Sequence, residues 1–522
     1  MRVAIYTFGC TQNNYESQVM REQFLREGDA VTEGGAPDAI IINSCAVTSS
    51  AEKGASELAA RLRKKYPRAV VALAGCYGEA LLKNGSRRGG TSMYDNGGLR
   101  GNSGLRGESG LRGESGESGL RGESNGRSES NGRGDLFDYV AGNDKADIAT
   151  DVRRLCENKI GALGGVVKAT DAGGRVAPER AEDTSAVKTA RADMERRRAN
   201  SRALLSVQNG CSCGCSYCIV PILRGGSVSR PPAEIISELE TLITEGYNDI
   251  VAAGINIGLY SYGGMELLDV LEKIDAAEGL ISLRLCSLEP MSLSERFIEG
   301  TRRLKNLCPH FHISLQSGCD ATLKRMGRYY SFKKYYDIIN KLRDSVPGCS
   351  ISTDIIAGFP GESDSEFNES CDNIALCRFS DIHIFKFSPR PGTVAATMPD
   401  QISQPKKNAR AGLLEGMKIQ ACCDFNSRSL GRVERACVLK RRGPNLWEGV
   451  TRRGVDVAFT GLPGGWSGQP GGLGVGSGGW GGQPGGLGIG SGGCADKPPS
   501  GYADVLIEKL GKGCGSLIGR EI

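Results

Sequence analysis

The stretch Cys211-Ser-Cys-Gly-Cys215-Ser-Tyr-Cys218 comes directly after a short apolar run at residues 203–207, and the chain beyond it repeats one pattern. Candidate strands at 203–207, 249–253, 282–285, 311–315, 350–356 and 382–387 alternate with candidate helices at 232–245, 267–277, 292–304, 332–345 and 363–377. The short runs read as buried strands and the longer stretches as helices. About six strand–helix units in series predict a partial (β/α)6 barrel rather than the full eight-fold form.

Working outward, the N-terminal part has the same grammar. Runs at 3–8, 39–43 and 70–74 read as strands, with helices at 17–27 and 50–65 between them, so a parallel α/β sheet is expected. Residues 82–135 are low complexity, with repeats of Gly-Leu-Arg-Gly-Glu-Ser. Their Gly spacing is not a strict three, which excludes collagen, and their composition predicts disorder. Residues 161–199 read as a polar linker. From about 433 the chain turns β-rich and is interrupted at 461–493 by two Gly-rich units, around Trp466 and Trp480, read as a tolerated loop insertion. The expected α/β organisation is therefore 1–160, a linker, 200–428, and a small β domain at 429–522.

Composition narrows the class. The chain has 522 residues, 39% of them hydrophobic, and a net charge of only +5, which decides little about partners. No apolar run approaches the roughly 18 residues of a membrane span. Residues 1–9 lack the features of a secretory signal, so a cytoplasmic protein is expected. Nineteen cysteines in such a chain argue against a disulfide framework. With only His310, His312 and His383, a mixed Cys/His zinc site fits poorly. Thiolate-rich chemistry suits iron–sulfur clusters or all-Cys zinc.

Cys211, Cys215 and Cys218 have the spacing CxxxCxxC. Three thiolates leave one iron of a four-iron cluster without a protein ligand, and that iron can take the amino and carboxylate groups of S-adenosylmethionine (SAM). Tyr217, just before the last Cys, fits the same pattern. Cys213 is an extra thiol inside the loop, so CxCxxC can also be read. An all-Cys zinc knuckle would need a fourth nearby ligand, and none follows within the next sixty residues. Cys10, Cys45 and Cys76 each come just after a predicted strand of the N-terminal sheet. In a parallel sheet those strand ends share one edge, so the three thiols either converge there as a second metal site or remain three buried small hydrophobes. Cys286, Cys319, Cys371 and the Cys422-Cys423 pair lack ligand spacing and default to buried thiols.

Further landmarks are Thr7-Phe-Gly-Cys10 with Asn13 and Glu16, Asn43-Ser-Cys45-Ala-Val-Thr48, Gly75-Cys76-Tyr77, Val207-Gln-Asn-Gly-Cys211, Arg224-Gly225 and Ser229-Arg230-Pro231. Gly254-Ile-Asn-Ile-Gly258, Ser314-Leu-Gln-Ser-Gly-Cys-Asp320, Asp354-Ile-Ile-Ala-Gly-Phe-Pro-Gly-Glu362 and Phe387-Ser-Pro-Arg-Pro-Gly392 follow. With these residues the chain resembles the radical-SAM methylthiotransferases, and among them the tRNA N6-threonylcarbamoyladenosine enzymes, over nearly everything but the low-complexity inserts and part of the linker.

The resemblance implies an N-terminal domain binding an auxiliary 4Fe-4S cluster through Cys10, Cys45 and Cys76. It implies a barrel binding the radical 4Fe-4S cluster through Cys211, Cys215 and Cys218, and a C-terminal RNA-binding barrel of the TRAM type. It implies a transferase that uses SAM as both methyl donor and radical source, places a methylthio group on carbon 2 of adenine, and draws electrons from a flavodoxin- or ferredoxin-like donor. The sulfur source is left open, and a monomer that meets no membrane is expected. Gly254, Asn256, Ser314 and Gln316 follow barrel strands and are candidate SAM contacts; Arg325 could meet the SAM carboxylate. Arg432, Arg435, Lys440, Arg441, Arg442, Arg452 and Arg453 are candidates for a tRNA backbone. The target lies in a single-stranded loop, where bases are accessible. Three other readings stay open: a sister enzyme acting on a ribosomal-protein aspartate, one acting on isopentenyl-type adenosine, and a non-catalytic iron–sulfur or zinc RNA-binding protein.

Overall fold

The computed structural model describes residues 1–32, 35–86, 136–143, 145, 147–163, 202–443, 445–461 and 502–522. The N-terminal sheet is wholly parallel, in the order Ala30–Val31, Arg2–Phe8, Ala39–Ser44, Val70–Ala74, Tyr139–Val140. Every residue of Ala39–Ser44 and Val70–Ala74 is buried, as expected where helices cover both faces. Alternate side chains serve opposite faces. Ile40, Ile42, Val71 and Leu73 pack with Leu58 and Leu62 of helix Ser49–Lys65. Ile41, Val70 and Ala72 pack with Met20 and Phe24 of Thr11–Arg26 and Val152 of Ile148–Leu163.

The central domain carries two parallel three-stranded sheets. One orders Arg202–Ser206, Asp249–Ala253 and Ser282–Leu285; the other orders His310–His312, Ser350–Ala357 and Asp381–Lys386. Single bridges Leu283↔Leu307 and Leu288↔Ile313 connect them, so six strands run in sequence order without closing. Helices Pro232–Thr244, Leu267–Asp275, Glu295–Thr301, Phe332–Ser345 and Asp364–Cys377 lie between them, and their apolar faces join one core with Leu239, Leu271, Ile339 and Tyr335.

Helix Gln404–Asn426 was not predicted. It follows the last strand of the barrel, and Lys418 pairs with Asp381 of that strand at 3.3 Å. It buries Lys407 and Arg410 while exposing Leu413 and Ile419, an inversion that removes the apolar period on which helix recognition rests. Arg410 is held by Glu362 at 2.5 Å, both nearly inaccessible.

The C-terminal domain is a closed barrel in the order Val433–Gly443, Leu446–Thr451, Asp456–Thr460, Ser516–Glu521, Tyr502–Leu510, filled by Val438, Val457, Phe459, Val505, Ile507 and Leu517. Two boundaries shift. Helix Cys76–Ser86 enters the segment expected to begin at 82, and helix Ile148–Leu163 enters the linker expected at 161. The rest of both segments, and the 461–493 insertion from residue 462 on, lie outside the described residues. Cys423 is not the free thiol expected. It is disulfide-bonded to Cys514, because Asn426 donates to the Cys514 carbonyl at 2.6 Å and the packed turns bring the two Cα atoms to 4.8 Å. Cys422 stays a buried thiol facing Asp381.

Candidate active site

Cys10 follows strand Arg2–Phe8, Cys45 follows Ala39–Ser44 and Cys76 follows Val70–Ala74. Register does the gathering: Phe8 pairs Ser44, and Asn43 pairs Ala74, so the three strands end level. Below the thiols lies a buried polar seam. Asn43 Nδ2 donates to the Asn13 carbonyl at 2.8 Å and to Ser17 Oγ at 3.0 Å, and Asn13 Nδ2 donates to Asn43 Oδ1 at 3.3 Å. Gly75, at φ +86°, leaves no room for a side chain: a Cβ there would meet Asn43 Oδ1 at 2.3 Å and the Ser44 carbonyl at 2.9 Å. Burial pushes the Cys45 thiol up to about 12, and the charges of Cys10 and Cys76 add to it. The Val47 N–H donates to Cys45 Sγ at 3.3 Å, and Arg224 Nε to Cys76 Sγ at 3.0 Å.

Cys211, Cys215 and Cys218 form the second group, at the C-terminal end of the first barrel strand. Burial, then the Cys215 and Cys211 charges, raises Cys218 to about 12. Cys213 donates its proton toward Cys211, holding Cys211 below the usual thiol range. Asn256 Nδ2 reaches Cys213 Sγ at 3.6 Å and Cys211 Sγ at 3.9 Å. Arg328 reaches Cys215 Sγ at 3.7 Å and is fixed by Glu289 at 2.7 Å, the Ser314 carbonyl at 2.7 Å and Tyr330 at 2.6 Å.

Both groups fit iron–sulfur clusters. Cys45 feels the charges of Cys10 and Cys76, and Cys218 those of Cys215 and Cys211, a crowding that a cationic centre relieves by taking thiols as thiolates, and N–H donors aimed at sulfur are the means by which proteins tune such centres. SAM also has a fit: Asn256 Oδ1 is buried and meets no donor, so an amino group would satisfy it.

The groups stand at the same end of the barrel. Cys286, after strand Ser282–Leu285, donates to the Gly254 carbonyl at 3.4 Å, and its thiol is raised by burial and by the Cys10 charge. Gly254 leads to Asn256 and so to Cys211. Arg224 joins the domains: it pairs with Glu16 at 2.5 Å, touches Cys76, and donates to Asn209 at 3.2 Å. Arg224 and Glu16 were visible as landmarks only. Arg328, Glu289 and Cys286 carried no sequence signal.

Of the candidate SAM contacts, Asn256 lies against Cys211 and Cys213, Gly254 accepts from Cys286, and Ser314 reaches Cys215 through Arg328. Gln316 is buried with φ +70°, the kind of strained backbone that gathers at functional ends. Arg325 forms a two-pronged pair with Glu366 at 2.9 and 2.7 Å, while Arg328 reaches Cys215 Sγ at 3.7 Å. Two of the RNA candidates make contacts within the protein. Arg452 donates to the carbonyls of Asn306 and Leu307 at 3.1 and 3.0 Å, and Arg453 to Ser429 and Glu434; both bind the protein itself. Lys440 and Arg442 share Glu448, and Arg441 lies over the Trp447 ring. Arg435 lies over Tyr502.

Residues 205–374 match the radical SAM superfamily, and residues 2–89 match the uncharacterized protein family UPF0004. The threonylcarbamoyladenosine tRNA methylthiotransferase MtaB of Thermotoga maritima is 30% identical over 82% of this chain and 85% of its own. MtaB of Bacillus subtilis is 28% identical over 88% and 90%. A tRNA-2-methylthio-N(6)-dimethylallyladenosine synthase of Thermodesulfovibrio yellowstonii is 29% identical over 86% and 90%. Likeness of that extent across all three domains leaves one assignment: this chain belongs to the radical SAM tRNA methylthiotransferases.

Proposed function

We propose that this chain places a methylthio group on carbon 2 of N6-threonylcarbamoyladenosine beside the anticodon, with one 4Fe-4S cluster on Cys211, Cys215 and Cys218 and a second on Cys10, Cys45 and Cys76. The observation that carries this reading is the meeting of two separate three-thiol groups at one end of a single barrel. When bound, the clusters and SAM supply radical removal of an aromatic hydrogen and the sulfur and methyl that replace it. Acid–base chemistry has no purchase on that bond, which offers neither an acidic proton nor a leaving group.

The chain's own residues bind, orient and exclude water. Asn256 Oδ1 takes the SAM amino group. Arg328, fixed by Glu289 and Tyr330, holds positive charge beside Cys215. Arg224 does the same beside Cys76 and locks the two domains in register. The chain works as a cytoplasmic monomer supplied with electrons by a flavodoxin- or ferredoxin-like protein. Among the described residues no helix is long and apolar enough to cross a membrane.

The threonylcarbamoyl substrate rests on the Thermotoga and Bacillus relatives and on Cys45-Ala-Val-Thr48 and Ser317-Gly-Cys-Asp320. Mass spectrometry of tRNA nucleosides tests it. Deleting the gene should remove 2-methylthio-threonylcarbamoyladenosine. Loss of the dimethylallyl derivative instead would transfer the assignment to that substrate, and no change in either would refute both.

A further inference from the structure

His310, His312 and His383 lie on the strands of the second half-barrel. His312 Nε2 lies 3.1 Å from Asp354 Oδ2, and His383 Nδ1 lies 3.3 Å from Asp354 Oδ1. The three donor atoms fall within 4.8 Å of one another. They come from three adjacent parallel strands, His310–His312, Ser350–Ala357 and Asp381–Lys386, in register: Asp354 is the Cα partner of His383, and His312 that of Ser352.

The far nitrogen of each ring also has a partner. His383 Nε2 meets Asp381 Oδ2 at 3.2 Å, and His312 Nδ1 meets Ser352 Oγ at 3.0 Å. Ser352 in turn meets His310 Nε2 at 3.2 Å, so its hydroxyl proton can be passed on while it accepts from His312. Ser314 Oγ donates to Asp354 Oδ2 at 3.0 Å. Metal-binding imidazoles are oriented in this way, with the second nitrogen given to a carboxylate or hydroxyl behind. Two ring nitrogens and one carboxylate oxygen thus face a common point at ligand spacing.

We propose that His312, Asp354 and His383 bind a divalent first-row cation of the zinc class. Two imidazoles and a carboxylate suit zinc or ferrous iron rather than magnesium or calcium. Asp381 and Ser352 orient the ligands. His383 lies on the edge strand and its side chain is 45% exposed, so at least one coordination position faces open space and takes water or an oxygen ligand. This site does not depend on the substrate proposed above. It differs from the mixed Cys/His zinc site that the sequence made improbable, because no thiol takes part.

The cluster-loaded full chain tests it. Anaerobic protein is equilibrated with zinc sulfate and desalted, and zinc, iron and sulfide are measured together. The wild type should retain one more zinc per chain than His383→Gln, with iron and sulfide equal in the two. Asp381→Asn should weaken zinc binding about 10- to 100-fold. X-ray absorption at the zinc edge of the wild type reads the same site without a variant, and should show imidazole and oxygen scattering only. Equal zinc in wild type and His383→Gln, no zinc in the wild type, or sulfur in the zinc shell would each overturn the assignment.

Discussion

Arg224→Met is the substitution whose consequence the structure fixes most tightly. The Arg224 side chain is 1% exposed and Glu16 is 11% exposed. Arg224 makes two bonds to Glu16, at 2.5 and 3.3 Å, one to Cys76 Sγ at 3.0 Å and one to Asn209 at 3.2 Å. Burial alone would raise the Glu16 carboxyl, yet Lys145 and Arg224 hold it below its ordinary range. Removing one partner of a buried pair costs about 3–5 kcal/mol when the other is left uncompensated. Lys145 remains 2.8 Å from Glu16, so the loss falls near the low end, about 3 kcal/mol. Methionine matches the length of the stem and isolates the charge. Arg224→Lys keeps the charge but cannot fork between Glu16 and Cys76, and should lose part of this. Denaturant unfolding of the cluster-free chain reads the stability, and iron per chain after reconstitution reads the Cys10 site. An Arg224→Met chain with the wild-type midpoint and full iron would show that the domain junction does not depend on this contact.

Three further outcomes follow from the same geometry. Cys45→Ala should halve the iron and abolish methylthiolated product while 5′-deoxyadenosine still forms from SAM, whereas Cys215→Ala should abolish both; parallel loss in the two variants would contradict the division of labour. Gly75→Ala puts a Cβ 2.3 Å from Asn43 Oδ1 at φ +86°, so it should cost about 1–3 kcal/mol and lower iron toward half, measured beside an unchanged SAM-cleavage rate. Asp249→Asn leaves Arg284 and Arg202, now 3.0 and 3.2 Å from a fully buried carboxylate, without their counter-charge; about 3–5 kcal/mol of destabilisation should appear as release of the C-terminal barrel by limited proteolysis.

What the sequence could disclose depended on how local the cause was. The strand at 70–74 falls where expected because a parallel strand buried on both faces is a continuous apolar run with sharp ends. Helix Gln404–Asn426 escaped because its buried face carries Lys407 and Arg410, whose partners are elsewhere. The thiol spacing of Cys211, Cys215 and Cys218 is local, and so was legible. The three strand-end cysteines needed the register of a sheet to bring them together. Arg224 and Glu16 are 208 residues apart, and nothing near either announces the other. Arg325 was named from sequence and Arg328 was not. Gly327, at φ +71°, turns the chain between them, so one side chain goes to Glu366 and the other to Cys215.

The placement of the C-terminal barrel limits how RNA can reach the chemistry. Its contacts fall at the N-terminal ends of the central strands: Tyr502 on Asp249 at 2.8 Å, the Thr451 carbonyl on Arg284 at 3.1 Å, the Arg453 carbonyl on Ser350, and Arg452 on the loop before His310. Cys211, Asn256, Cys286 and Gln316 lie at the opposite ends of those strands. The barrel's docked side is spent on protein contacts, Arg452 and Arg453 among them, while on its first strand pair Lys440 and Arg442 share Glu448 and Trp447 packs against the barrel core beneath Arg441. RNA held by this barrel would have to extend along the central strands to reach the ends where Cys211 and Asn256 lie.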